Sequence, residues 1–224
     1  MALAFSLTNN LALLGNVAPL QDESPDATCV GKVLKINVEW QNQNNWCWAS
    51  VGAAVGRAFE NPDAAATTLC GVASRVNSTV CCQNGVKGSV AACDVPGELK
   101  NIDVHGTNKG ALGKHLNTVP IDANVDKTFP FVKDLIDNGI PIAVKIGYLN
   151  TVGHFVVISG YCVMGTTPYI FVGDPQFGHR SREDFGAFLI RFRGAGFWDT
   201  TYVTQGLPPI NGQPQGIQQV PKEV

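Results

Sequence analysis

Gln41-Asn42-Gln43-Asn44-Asn45-Trp46-Cys47-Trp48-Ala49-Ser50 runs without a break into the small-residue segment Val51 to Phe59. Ala, Val and Gly dominate from Cys47 to Phe59, and Asn61-Pro62 ends the run, so it reads as a helix buried on most sides. Cys47 falls in its first turn, where the positive end of the helix dipole favours a thiolate. Gln41, six positions earlier, offers a side-chain amide for an oxyanion, and the Cys47 backbone N–H offers a second donor. Gln43 is the alternative amide. Trp48 reads as core and Trp46 as the wall of a substrate cleft.

A thiol nucleophile needs a base, and the base needs a group to orient it. The chain has four histidines. His105 and His115 lie in polar, loop-like sequence, and His179 follows Gly178 in a turn beside Arg180; all three read as surface residues. His154 instead opens the apolar run Phe155-Val156-Val157-Ile158, directly after Thr151-Val152-Gly153. A strand start fixes the backbone while the imidazole reaches into a cleft, with Gly153 beside the substrate. Asp174 ends a second apolar run, Tyr169 to Gly173, and Pro175 stops it. If the two runs pair antiparallel through the Tyr161–Pro168 turn, His154 and Asp174 meet at one end. The carboxylate then takes one imidazole nitrogen and leaves the other for the thiol.

The seven cysteines set Cys47 apart. Cys70, Cys81, Cys82 and Cys93 follow a symmetric plan: ten residues, an adjacent pair, ten residues. Adjacent cysteines seldom bridge to each other, so either 70–81 with 82–93 or 70–82 with 81–93 is expected. A zinc site would want ligand pairs two to four residues apart, which is not the spacing here. No metal and no cofactor is expected. Cys29 and Cys162 form a third bridge or stay as small buried residues. Disulfides imply an oxidising destination, hence secretion or export.

Around these motifs the chain is α+β. Val33 to Trp40 reads as a short strand, and Asp63 to Cys93 as short helices tied by disulfides. A short helix is expected at Asn108–Leu116 and another at Phe131 to Asp137. Strands are expected at Ile140 to Ile146, His154 to Cys162, Tyr169 to Gly173 and Phe197 to Thr204, with a helix start at Ser181-Arg182-Glu183-Asp184. Residues 1–30 read as an arm, leader or propeptide-like segment, because Met1 to Leu20 lacks a basic start and is interrupted by Asn9, Asn10 and Asn16. Residues 31–207 read as one folded domain, with a helical half over about 41–118 and a β-rich half over about 119–207. The Pro-, Gly- and Gln-rich residues 208–224 form a flexible tail.

Of 224 residues, 45% are hydrophobic and 15% charged, with a net charge of −2, which leaves no basic face for nucleic acid or an anionic membrane. No apolar run reaches the roughly 18 residues of a spanning helix. A monomer acting on a polypeptide is expected.

Gln41 to Ser50 with its small-residue helix, Gly153-His154-Phe155-Val156-Val157, and Val172-Gly173-Asp174-Pro175 together resemble the papain-like cysteine peptidases. The nearest branch is the bacterial Trp-Cys-Trp-Ala group, which includes secreted effector proteases. The resemblance covers roughly residues 33–205. It implies two lobes, with a helical N-terminal lobe carrying the thiol, an antiparallel β lobe carrying the imidazole, and the substrate between them. Cys47 would attack a carbonyl, His154 would protonate the leaving amine, Asp174 would orient His154, and Gln41 would hold the oxyanion. An amidase or acyltransferase acting on a non-protein amide such as a peptidoglycan crosslink uses the same triad, and a non-catalytic binding module is the remaining alternative. Asn44 stands where papain has a bridging cysteine, so the Cys70–Cys93 cluster is expected to brace the site instead.

Overall fold

In the computed structural model, residues 28–59, 68–84, 86–99, 116–119, 125–149 and 153–204 are described. The arm, the tail, His105, His115 and most of the helix expected at 108–116 lie outside these residues.

The small-residue run folds as expected into α1, Cys47–Phe59. With no acidic residue in its first turn and Arg57 in its last, its dipole is opposed by nothing at the thiol end and complemented at the other. A second helix, α2 (Leu69–Asn77), is capped by Thr68, whose hydroxyl accepts from the Gly71 N–H at 3.0 Å. A 3-10 turn follows at Ala91–Cys93. The pairing left open by the sequence is 70–82 with 81–93, and Cys29 pairs with Cys162.

The second half is an antiparallel sheet in the order β2-β7-β3-β4-β5-β6, with β1 added on β4. Its strands are β1 (Val30–Val33), β2 (Leu116–Val119), β3 (Ile142–Gly147), β4 (His154–Met164), β5 (Thr167–Asp174), β6 (His179–Asp184) and β7 (Phe197–Thr204). Successive side chains on a strand face opposite ways, and here each face has its own core. Phe155 and Val157 of β4, with Ala143 of β3 and Tyr202 of β7, join α1 and α2 in one core. Val156 and Ile158, with Ile142, Val144 and Ile146, face the second core. That second core is filled by α3 (Val125–Asp137) and α4 (Phe185–Arg191) through Val132, Ile136, Phe185 and Phe188. The fold class is therefore α+β as expected, a helical half seated on one face of an antiparallel β half.

Three expected boundaries differ by more than two residues. The strand before the motif is Val30–Val33, and residues 34–40 run alongside the sheet, tied to it at Leu34, whose N–H donates to Ser159 at 2.7 Å and whose carbonyl accepts from the Arg180 guanidinium at 3.3 Å. The third helix starts before Phe131 because Pro130 is accommodated inside it rather than ending it. It stops as expected at Asn138-Gly139: Gly139 takes φ 78° and donates to Ile136 while Ile140 donates to Leu135, closing the helix with a left-handed glycine. Residues 181–183, expected to start a helix, are strand, paired with Ile170 to Val172. The helix begins one step later, where the Asp184 carboxylate accepts from the Ala187 N–H at 2.7 Å.

Candidate active site

The site is built from three pieces of chain: the N-terminus of α1, the start of β4 and the end of β5. Strands β4 and β5 pair antiparallel, with Val157 opposite Gly173 and Met164 opposite Thr167. The hairpin brings the start of one to the end of the other, as its sequence implied. His154 Nε2 lies 2.7 Å from Asp174 Oδ1. The Cys47 side chain interacts with the same imidazole and, with Asp174, favours its protonated form. The structure thus brings Cys47, His154 and Asp174 together across more than a hundred residues of sequence. Cys47 is the one free cysteine, and its residue is 8% exposed.

Burial acts against an imidazolium at position 154, but the hydrogen bonds and charges of Asp174 and Cys47 outweigh it and raise His154 from 6.5 to about 9. Asp174 is 1% exposed. Burial alone would raise its carboxyl; the bond and charge of His154, the Gln176 N–H at 3.0 Å and the nearby Arg193 instead hold it below the ordinary carboxylate range. An ionised carboxylate only accepts, so the proton between the two residues belongs on Nε2, leaving Nδ1 for the thiol.

Gln41 sits beside this hairpin. Its backbone N–H donates to the Pro175 carbonyl at 2.8 Å, fixing it next to Asp174. Its amide Nε2 donates to the Gln43 and Asn44 carbonyls at 3.1 Å each, inside the turn that leads to Cys47. Gln43, the alternative, turns its own amide to the Gly88 carbonyl and is engaged in a different loop. Gly153 is half-buried, and a Cβ there would come within 2.9 Å of the Ile146 carbonyl.

The wall expected of Trp46 is corrected. Trp46 is 0% exposed and its indole donates to the Cys93 carbonyl at 2.7 Å, so it packs as core rather than as an open wall. Trp48 is core as expected, with its indole on the Val95 carbonyl at 3.1 Å. Between them, Asp94 accepts from the Asn45 backbone N–H at 2.9 Å. With the Asn45 side-chain amide donating to the Asp94 carbonyl at 3.2 Å, the segment Cys93-Asp94-Val95 therefore holds the start of α1 by four bonds, and the Cys81–Cys93 bridge anchors that segment. Gly97 continues the contact, since a Cβ there would lie 2.4 Å from the Trp48 ring.

Two residues that sequence reading missed are Asp94 and Arg193. Asp94 adjoins a bridged cysteine, which was a usable sign. Arg193 lies in the Gly-rich turn after α4, and nothing local in Phe192-Arg193-Gly194 points to Asp174. Its guanidinium Nη2 is 3.6 Å from Asp174 Oδ2. Among the described residues no group of three or more His, Cys, Asp or Glu side chains could hold a metal ion, and no helix is long and apolar enough to cross a membrane.

No curated protein matches the chain. Among solved structures, digestive procathepsin L 3 of Tenebrio molitor larval midgut is similar at 13% identity and a TM-score of 0.40, over 84% of this chain and 73% of that one. At that level the likeness assigns no residue and no activity. The model of the Peptidase_C39 like family matches residues 35–198, a span that runs from ahead of Gln41 to beyond Asp174 and takes in Cys47 and His154. The chain belongs to the Peptidase_C39 like family.

Proposed function

We propose that the protein is a cysteine endopeptidase in which Cys47, His154 and Asp174 act as nucleophile, acid–base and orienting group. The observation that carries this reading is one imidazole held between a buried carboxylate at 2.7 Å and the single unbridged thiol. Family membership supports a peptidase.

Cys47 Sγ attacks the scissile carbonyl carbon, and the carbonyl electrons move to oxygen. The Cys47 N–H and, after giving up a turn bond, the Gln41 amide receive that oxyanion. As the C–N bond breaks, the His154 imidazolium gives its Nδ1 proton to the leaving amine, and a thioester remains on Cys47. Water then attacks the thioester while neutral His154 takes its proton, and the acid product leaves. Asp174 keeps one tautomer throughout and compensates the imidazolium charge.

Three disulfides fit an oxidising compartment, and we take the protein to work outside the reducing cytosol, as exported proteases of the Trp-Cys-Trp-Ala kind do. Iodoacetamide labelling of the oxidised protein should modify Cys47 selectively, and a Cys47→Ala variant should lose hydrolysis of unfolded protein substrates. Full activity in that variant would overturn the reading. Release of muropeptides without protein digestion would redirect it to a peptidoglycan amidase.

A further inference from the structure

Asp174 presents two oxygens, and the triad uses one. Oδ1 accepts from His154 and from the Gln176 N–H. Oδ2 is buried and accepts no hydrogen bond. A buried carboxylate oxygen with no donor is costly unless a cation faces it. The facing group is Arg193, at 3.6 Å and with its side chain 34% exposed.

Arg193 is held there by more than this contact. Its guanidinium lies over the Phe177 ring at 4.7 Å and over the Phe192 ring at 5.3 Å. Phe177 is three residues after Asp174, and its N–H donates to the Asp174 carbonyl at 3.1 Å. The platform is therefore tied to the carboxylate's own backbone. Glu183, at 4.0 Å, approaches the same guanidinium from β6. Arg193 also adopts φ 51°, a left-handed conformation that non-glycine residues seldom take, beside Gly194 at φ 88°. Strain of this kind persists where the surroundings fix it, and it gathers at functional sites.

We infer that Arg193 is a positioning residue for the triad: stacked against two aromatic rings, it faces Oδ2 of the Asp174 carboxylate so that Oδ1 stays committed to His154. The inference rests on the peptidase reading of Cys47, His154 and Asp174. The charged or titratable groups that face Asp174 are His154 on β4, Cys47 beyond it on α1, Arg193 after α4, Tyr148 after β3, and His179 paired with it on β6. Of these, Arg193 alone is a fixed cation.

The test is the pH dependence of two readouts in the full oxidised chain, Cys47 alkylation by iodoacetamide for the acid limb and hydrolysis of an unfolded protein substrate for the upper limb, with thermal melting as the check on folding. In Arg193→Met the acid limb should move up by about half a pH unit or more, as Asp174 becomes easier to protonate. The upper limb, set by His154, should stay or rise, because a cation has been removed from its neighbourhood. Arg193→Lys should restore the acid limb. Damage to the loop alone would lower the upper limb instead, in Lys and Met variants alike, and that result overturns the inference. So does an unchanged profile in a folded Arg193→Met protein. If that variant does not fold, Phe177→Leu, at an exposed position, removes the nearer of the two rings and should move the same limb in the same direction; no movement overturns the inference. Absence of selective Cys47 labelling in the unsubstituted protein would instead sink the peptidase reading itself.

Discussion

The Trp46 indole donates to the carbonyl of Cys93 at 2.7 Å, so the residue that precedes the thiol is bonded to one half of a disulfide. Asn45 and Trp48 add bonds to Asp94 and Val95. A reactive thiol is useful only if the helix start that carries it does not drift, and this short segment supplies the restraint. The expectation that the Cys70–Cys93 cluster would brace the site is met through Cys93.

Removing the Cys81–Cys93 bridge with paired alanines should therefore cost about 3 kcal/mol, the value for a loop of 12 residues, and should also slow alkylation of Cys47. Paired alanines at Cys29 and Cys162 open a loop of 133 residues, for which the same relation gives about 5 kcal/mol. Yet that bridge lies in a separate cluster with Phe171, so under conditions where both variants are folded it should leave Cys47 reactivity unchanged. Urea unfolding and alkylation rates measured side by side separate the two effects. Equal loss of reactivity in both would mean that Cys93 has no special role.

Glu39 is the second tie to α1. Its carboxylate receives Arg57 Nη1 at 2.6 Å, Lys87 Nζ at 2.5 Å and the Leu69 N–H at 3.0 Å, and its carbonyl receives the Ser50 hydroxyl. One side chain thus joins the segment before the motif to α1, to the start of α2 and to the loop at position 87. Glu39→Gln should destabilise by about 1–3 kcal/mol, because a half-buried guanidinium keeps its place and loses its counter-charge. Burial works against the Glu39 carboxylate, but its bonds to Lys87, Arg57 and Leu69 win and lower its pKa below 4.5. A depressed pKa stabilises above the unfolded value and ceases to as pH falls through the folded one. The difference between the two proteins should accordingly close in acid. A difference that is constant with pH would show that the charge is not what matters.

How much of this was legible beforehand varies by residue for physical reasons. The helix Cys47–Phe59 and the β4–β5 hairpin are local patterns, a small-residue run and two apolar runs around a turn, so sequence alone placed them and with them Cys47, His154 and Asp174. Residues 181–183 looked like a helix start because Asp184 is a true cap, but pairing with β5 overrides that preference for the residues before it. Trp46 was misplaced because a tryptophan beside a nucleophile looks the same in sequence whether it faces a cleft or a carbonyl at Cys93. Arg193 was invisible since its contact with Asp174 crosses from the α4–β7 turn to the end of β5.

Titration of His154 should appear in stability as well as in activity. Its folded pKa of about 9 lies above the ordinary 6.5. The pair therefore contributes its full stabilisation below about pH 6.5 and loses it as pH rises through about 9, with a slope no steeper than about 1.4 kcal/mol per pH unit. Asp174, depressed in the folded state, acts in the opposite window and loses its contribution only in acid. Urea unfolding of the wild type and of His154→Ala across pH 6 to 10 should show the two free energies converging at the alkaline end. Parallel curves over that range would mean that His154 is neutral in the folded protein.

Asp174 offers the sharpest separation between orientation and charge. In Asp174→Ala the imidazole keeps its place at the start of β4 but loses the acceptor on Nε2, so either nitrogen can carry the proton and the imidazolium loses its compensating charge. Hydrolysis should fall roughly 10²- to 10⁴-fold, with little change in KM, since the carboxylate meets no substrate. Asp174→Asn retains an amide oxygen that can accept from Nε2–H and so preserves the tautomer without the charge. Its activity should lie between wild type and alanine, and the upper limb of its pH profile should move down towards the ordinary histidine range because the imidazolium is no longer favoured. Asparagine as poor as alanine would make charge the whole of the effect. Alanine within about threefold of wild type would remove Asp174 from the mechanism, leaving Cys47 and His154 as a dyad.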